Sequence, residues 1–158
     1  MFASASRRLA PLAAAAAIIV ASTAAFAGEC PADKVTTNFQ HPGGIAPVAV
    51  TDEVLAAIDL SQTTLDAEGR MFRLRRLDIQ PGGVVPLHSH ADGPAILHIG
   101  EGTIVEYRST CAVPIVHHAG DVIIEAGNLE HWWRNEGDAL VVIFSSDILH
   151  VEDDAHTM

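Results

Sequence analysis

The chain has 158 residues, nine of them Lys or Arg and twenty Asp or Glu, for a formal charge of −11. That balance argues against nucleic acid and anionic membrane surfaces as partners, since both reward clustered basic side chains. It suits a soluble protein whose ligands are cations or neutral small molecules.

Residues 1–27 read apart from the rest. Arg7 and Arg8 form a basic head, Leu9 to Ala25 is an apolar run rich in alanine, and Ala25-Phe26-Ala27 is a small-x-small cleavage site. This order is that of an export signal, and it predicts a mature chain starting at Gly28, periplasmic or secreted. A membrane anchor would need about 20 mostly larger apolar residues and no cleavage site. After cleavage no membrane association is expected. The remaining 131 residues make one domain with room for a core, carrying 7 basic and 20 acidic side chains. Cys30 and Cys111 are the only cysteines. Export to an oxidising compartment predicts that they form a disulfide.

Gly28 to Pro47 is loop-like, broken by Pro31, Pro42, Gly43 and Gly44. Ala49 to Leu60 mixes β-branched residues with alanine and reads as a strand followed by a short turn of helix. From Arg70 onward, short runs rich in Val, Ile, Leu and aromatics recur, each closed by Gly, Pro, Asn or Asp. Strands are predicted over Met71–Ile79, Val84–His90, Ala95–Ile99, Thr103–Tyr107, Val113–His118, Asp121–Glu125, His131–Asn135 and Ala139–Ser145. Strands at this spacing, with no helical period held for three turns, predict an all-β sandwich or barrel. The acidic tail is expected to be loose.

Nine histidines stand out. In a strand, residues i and i+2 share a face, so His88-Ser89-His90 sets two imidazoles side by side. If that face is a barrel interior, each ring nitrogen needs a partner, and a transition metal ion supplies one for both rings. Alone, His-x-His is a weak signal, because exposed pairs are common.

The wider spacing is more specific. Gly82, five residues, His88-Ser89-His90, four residues, Ala95, six residues, Gly102 is followed by Gly120, ten residues, His131, three residues, Asn135. These runs resemble the two signature motifs of the cupins, a superfamily of small β-barrels, across about Arg70 to Ser145. The resemblance implies a cupin-type β-barrel (a double-stranded β-helix, or jelly roll) with a metal held by His88, His90 and His131. It divides the chain into a signal peptide (1–27), an N-terminal loop and strand extension (28–69), a barrel (70–147) and an acidic tail (148–158).

The sequence departs from the family at two places. The second motif's Pro and Gly are replaced by Ala126 and Asn128, a mild change because Gly127 and Asn128 can take the turn. The family's glutamate ligand is replaced by Ala95. The expectation is therefore a three-imidazole site, as in some cupin dioxygenases, with the +2 charge of the ion uncompensated and Ala95 in the pocket wall. His98 would need a bulge to replace the glutamate. Glu101 lies in a turn, and at most one of His117 and His118 faces inward. His41, His150 and His156 are expected in solvated loops. Trp133 shares the face of His131 and is expected in the pocket, with Trp132 outward. Arg73 and Arg75 are placed on the solvent face, and Arg76, which breaks the alternation, is the candidate for an inward arginine. Of Glu106 and Tyr107 only one can face the cavity.

Three functions fit one divalent transition metal ion (Fe, Cu, Ni, Mn or Zn) in such a site. One is an enzyme of dioxygenase type acting on a small organic molecule. Another is a metal-dependent isomerase, lyase or hydrolase. The third is a non-catalytic binder of metal or small ligand. The absence of an evident general base favours redox chemistry. A homodimer is compatible with each.

Overall fold

The computed structural model describes residues 28–151; the expected export signal, residues 1–27, and the last seven residues lie outside that range. Eight strands follow in order: β1 Val48–Asp59, β2 Arg70–Ser89, β3 Ala95–Glu101, β4 Thr103–Arg108, β5 Ile115–His118, β6 Val122–Glu125, β7 Glu130–Arg134 and β8 Val141–His150. A 3-10 turn, Leu60–Gln62, is the one helical piece among the described residues, and the Asp59 side chain caps it by accepting from Ser61 N. The strands form one curled antiparallel sheet, ordered β5-β4-β7-β2-β8-β3-β6, with β1 laid along β2. This is the expected all-β barrel.

The two strands predicted on either side of Pro81-Gly82-Gly83 are one continuous strand. The first half of β2 pairs with β8 and the second half with β7, so β2 carries the chain from one side of the barrel to the other. The handover needs glycine. Gly82 has φ +76°, and a Cβ on Gly83 would lie 2.7 Å from Gln80 O. Asn135 pins the bend from β7: its amide donates to Ile79 O at 2.9 Å and Ala139 O at 2.7 Å, while its oxygen accepts from Gly137 N. The motif's asparagine thus satisfies three backbone groups where two sheet edges part.

Inward alternation builds the core from Leu77 and Ile79 of β2, Ile99 of β3, Ile104 of β4, Trp133 of β7 and Ile143 of β8. Each such side chain contributes about 1.5–3 kcal/mol of apolar burial. β8 runs through His150. The opposite face of the sheet is unusually apolar: Ile58, Phe72, Ile96, Val122 and Ile124 are all exposed.

The segment from Gly28 to Pro47 wraps the outside. Cys30 and Cys111 are joined by the expected disulfide, which ties this segment to the loop after β4. Val35 bridges to Cys111, and Thr36 N and Phe39 N donate to Thr110 O and Ser109 O. Trp132 points outward, as expected, stacks on Tyr107 at 3.9 Å between centroids, and lies under Gly43 and Gly44.

Candidate metal centre

The second half of β2 and the whole of β7 set His88 and His131 directly opposite one another in register. His90 lies just past the end of β2, held by His90 N donating to Leu129 O. The three rings therefore converge: Nε2 of His90 is 3.0 Å from Nε2 of His88 and 2.9 Å from Nε2 of His131, and the remaining pair is 3.2 Å apart.

Each ring is anchored through its other nitrogen. Nδ1 of His88 donates to Pro86 O at 2.8 Å, Nδ1 of His90 to Gly93 O at 2.8 Å, and Nδ1 of His131 to Glu106 Oε1 at 2.6 Å. With each Nδ1 donating outward, the three Nε2 atoms turn toward one point. Burial, with the neighbouring His131 adding to it, lowers the His88 pKa to about 3, so this ring is neutral at ordinary pH. Lone pairs at such separations repel unless a cation sits among them.

A fourth donor comes from a place the sequence did not mark. Glu125, at the end of β6 and 2% exposed, turns its carboxylate into the same cluster, with Oε2 3.0 Å from His90 Nε2 and Oε1 3.4 Å from His131 Nε2. Oε1 is buried and accepts no hydrogen bond among the described residues. All four donor atoms lie within 4.8 Å of one another. Burial works against a charged His90, yet the hydrogen bond and charge of Glu125 prevail and raise its pKa. In the metal-free protein a proton on His90 can thus bridge to Glu125, leaving the lone pairs of His88 and His131 opposed.

The donor set fits a transition metal: three imidazoles and one carboxylate suit Zn, Fe, Ni, Cu or Mn rather than Ca or Mg. Contacts of 2.9–3.2 Å also match right-angle neighbours around an ion with bonds of about 2.1 Å, which lie about 3.0 Å apart.

The expected three-imidazole site with an uncompensated charge is therefore corrected. Ala95 and Glu125 are direct partners across the β3–β6 ladder, so a carboxylate is present from the neighbouring strand. Ala95 itself is a core residue and does not line the cavity, again contrary to expectation. The available clue was phase: Glu125 alternates with buried Ile123, so both point inward, but which strand pairs with β3 is not written locally.

Glu106 is the second residue whose role emerges only in three dimensions. It faces inward while Tyr107 faces out, and besides His131 it binds His117 Nε2 at 2.9 Å and the Arg108 guanidinium at 2.6 Å. Burial opposes its charge, but the hydrogen bonds of His117 and His131, then the charges of His131 and Arg108, hold its pKa far below the carboxylate range. The anion fixes the tautomer of His131 and raises its basicity toward a metal. Of the histidine pair on β5, His117 is buried and His118 exposed; His98 is exposed, and Nε2 of His41 donates to Cys111 O at 2.8 Å.

Beyond the four donors lies a cavity of about 440 Å³ lined by Trp133, Leu77, Val85, Leu97 and Ile143 on its apolar side. Its polar side corrects the arginine assignments. Arg73 and Arg75 point inward with Leu77, and Arg76 points out and pairs with Asp78. Arg73 makes a two-pronged pair with Asp147 at 3.0 Å; Arg75 pairs with Asp52 of β1 and reaches Asp147 at 2.9 Å. Phe72 and Leu74, in the opposite phase, face outward and misled a polarity-based choice of face. Burial raises the Asp52 pKa against the pull of Arg75 and Arg73.

Comparison with known proteins agrees with this architecture. A cupin domain family profile matches residues 75–147. An auxin-binding protein of Prunus persica, ABP19b, is 36% identical over 81 residues, covering 49% of this chain and 39% of that protein. Germin-like protein 8-14 of Oryza sativa subsp. japonica is 35% identical over 71 residues, covering 42% and 33%. The chain thus spans well under half the length of these curated relatives. Among solved structures, the cupin domain of an XRE family transcriptional regulator from Enterobacter cloacae aligns with a TM-score of 0.49 and 16% identity, over 64% of this chain and 96% of that one. The His88-Ser89-His90 pair and His131 fall inside the matched stretch, so residues 75–147 form a small cupin domain.

Proposed function

We propose that this chain is an exported metalloprotein that holds one divalent transition metal ion with His88, His90, Glu125 and His131, and that it is an enzyme of dioxygenase type acting on a small organic molecule. The convergence of three Nε2 lone pairs and an unpartnered Glu125 oxygen onto one point carries the metal assignment. The disulfide supports an oxidising compartment.

A metal bound there supplies a Lewis acid and, if it is iron or copper, a redox centre. The chain's own residues do the rest. Glu106 holds His131 in the right tautomer, and Glu125 offsets one unit of the ion's charge. The apolar wall around Trp133 excludes water from the cavity floor, and the ion pairs of Arg73, Arg75, Asp52 and Asp147 hold a fixed polar wall against a ligand.

One observation favours a second reading, a metal-dependent isomerase or lyase. Asp52 lines the cavity, and burial raises the pKa of this carboxyl above its ordinary value, the direction that favours holding a proton for transfer. The two readings separate in one experiment on exported, metal-analysed protein: oxygen uptake over a panel of dicarbonyl, phenolic and thiol compounds, alongside deuterium exchange at carbon acids in the same panel. Oxygen uptake that Asp52→Asn leaves intact supports the dioxygenase. Exchange without uptake, lost in Asp52→Asn, supports the isomerase or lyase. Neither, in metal-loaded protein, points to a non-catalytic binder.

A further inference from the structure

The first described residue, Gly28, lies in a place built for more than a peptide nitrogen. Its N–H donates to Val116 O at 3.1 Å. Two more acceptors face the space a side chain would fill: a Cβ there would come within 3.1 Å of His117 Nδ1 and 3.4 Å of Asp121 Oδ2. The backbone at Gly28 has φ +90°, so a residue with a side chain would be strained as well as crowded.

His117 makes the case specific. The ring is fully buried, and its Nε2 donates to the Glu106 carboxylate, so Nδ1 is left as a lone-pair acceptor. That atom is buried and has no partner among the described residues. A buried acceptor without a donor costs about 1–3 kcal/mol, and native proteins rarely leave one. Asp121 Oδ2 accepts from the His118 amide at 2.8 Å and brings a negative charge. Three acceptors thus lie about Gly28: Val116 O on its nitrogen, and His117 Nδ1 and Asp121 Oδ2 beside the place a Cβ would take.

We propose that cleavage after Ala27 creates the group this cradle is shaped for: the α-ammonium of Gly28, which seats with its three N–H donors on Val116 O, His117 Nδ1 and Asp121 Oδ2. The peptide bond between Ala27 and Gly28 is hydrolysed by a signal-removing peptidase, with water supplying the new carboxylate of Ala27 and the amine of Gly28. The Cys30–Cys111 disulfide, two residues on, holds the new terminus in place. Seated, the ammonium completes a polar chain that runs through His117 and Glu106 to His131. Maturation is thereby a positioning device for the wall behind the third histidine.

The test needs no metal, so it fails or succeeds apart from the functional reading above. Lys34 is the only lysine in the chain and is half exposed, which makes it an internal reference amine. The full-length protein is exported from a host cell, its N-terminus fixed by intact mass, and the folded protein acylated at pH 7 with a limiting activated ester. A free α-amine (pKa about 7.7–8.0) reacts well ahead of a lysine (about 10.4). A seated ammonium reverses that order. The ratio of Gly28 to Lys34 labelling is expected to be at least tenfold lower than in a form extended by Ser-Thr inserted between Ala27 and Gly28. Asp121→Asn, which keeps an acceptor but removes the charge, is expected to restore much of the Gly28 labelling. A Gly28 amine that labels as fast as that of the extended form, or an exported chain that begins elsewhere, overturns the proposal.

Discussion

Removing and then relocating the carboxylate of the cluster is the sharpest perturbation available. Glu125→Ala deletes a 2% exposed carboxylate whose oxygens lie 3.0 Å and 3.4 Å from His90 and His131. Breaking one partner of a buried, charged set costs about 3–5 kcal/mol, so metal affinity is expected to fall by roughly 10² to 10³·⁵-fold. Ala95 faces Glu125 directly across the β3–β6 ladder, and directly opposed Cβ atoms in a sheet lie only about 4.5–5.5 Å apart. A glutamate at 95 with an alanine at 125 therefore reaches nearly the same point from the other strand. The Ala95→Glu/Glu125→Ala double variant is expected to recover at least tenfold of the lost affinity, measured by competition against a chromophoric chelator. Ala95→Glu alone brings a second buried carboxylate into a filled site and is expected to destabilise the metal-free fold. Unchanged affinity in Glu125→Ala, or a double variant no better than it, would refute the reasoning that Glu125 stands in for the residue lost at 95.

Glu106→Gln is expected to weaken metal binding by about 10–100-fold, because an amide cannot accept from His131, His117 and Arg108 together; titration of the apo-protein with metal measures it. The Glu106 pKa lies below its ordinary 4.5, so its stabilisation is fully present above that value and is lost as pH falls through the depressed one. Acid unfolding below about pH 4.5 is therefore expected to be less steep in Glu106→Gln than in the parent when followed by circular dichroism. Reducing the disulfide, which closes a sequence separation of 81 residues, is expected to cost about 4 kcal/mol in urea unfolding. Asn135→Ala orphans Ile79 O, Ala139 O and Gly137 N, and is expected to cost about 2–4 kcal/mol by the same measurement while leaving the metal donors untouched.

The strands were legible because glycine, proline and asparagine punctuate them, and His88-Ser89-His90 was legible because two residues is the repeat of a strand. His131 came from motif spacing, and its meeting with His88 depends on β2 and β7 being neighbours, which only the closed barrel provides. Glu125 was hidden for the same reason. Its phase with Ile123 says inward, but nothing near it says that Ala95 lies opposite. Arg73 and Arg75 were misplaced because polarity is a poor guide where the outer face carries Phe72 and Leu74 and the inner face carries a buried ion-pair cluster. The β2 bend was read as a break between two strands, since a Pro-Gly-Gly run ordinarily ends a strand; the Asn135 amide is what lets the chain continue through it.

The central claim is that one transition metal ion sits among His88, His90, Glu125 and His131. A crystal structure of the exported protein, with diffraction recorded across the absorption edge of the metal that elemental analysis identifies, tests it most directly. A single anomalous peak about 2.0–2.3 Å from the three Nε2 atoms and a Glu125 oxygen is the expected result. A peak coordinated by the histidines while Glu125 turns away, or no peak at the cluster in protein that carries metal elsewhere, would contradict it.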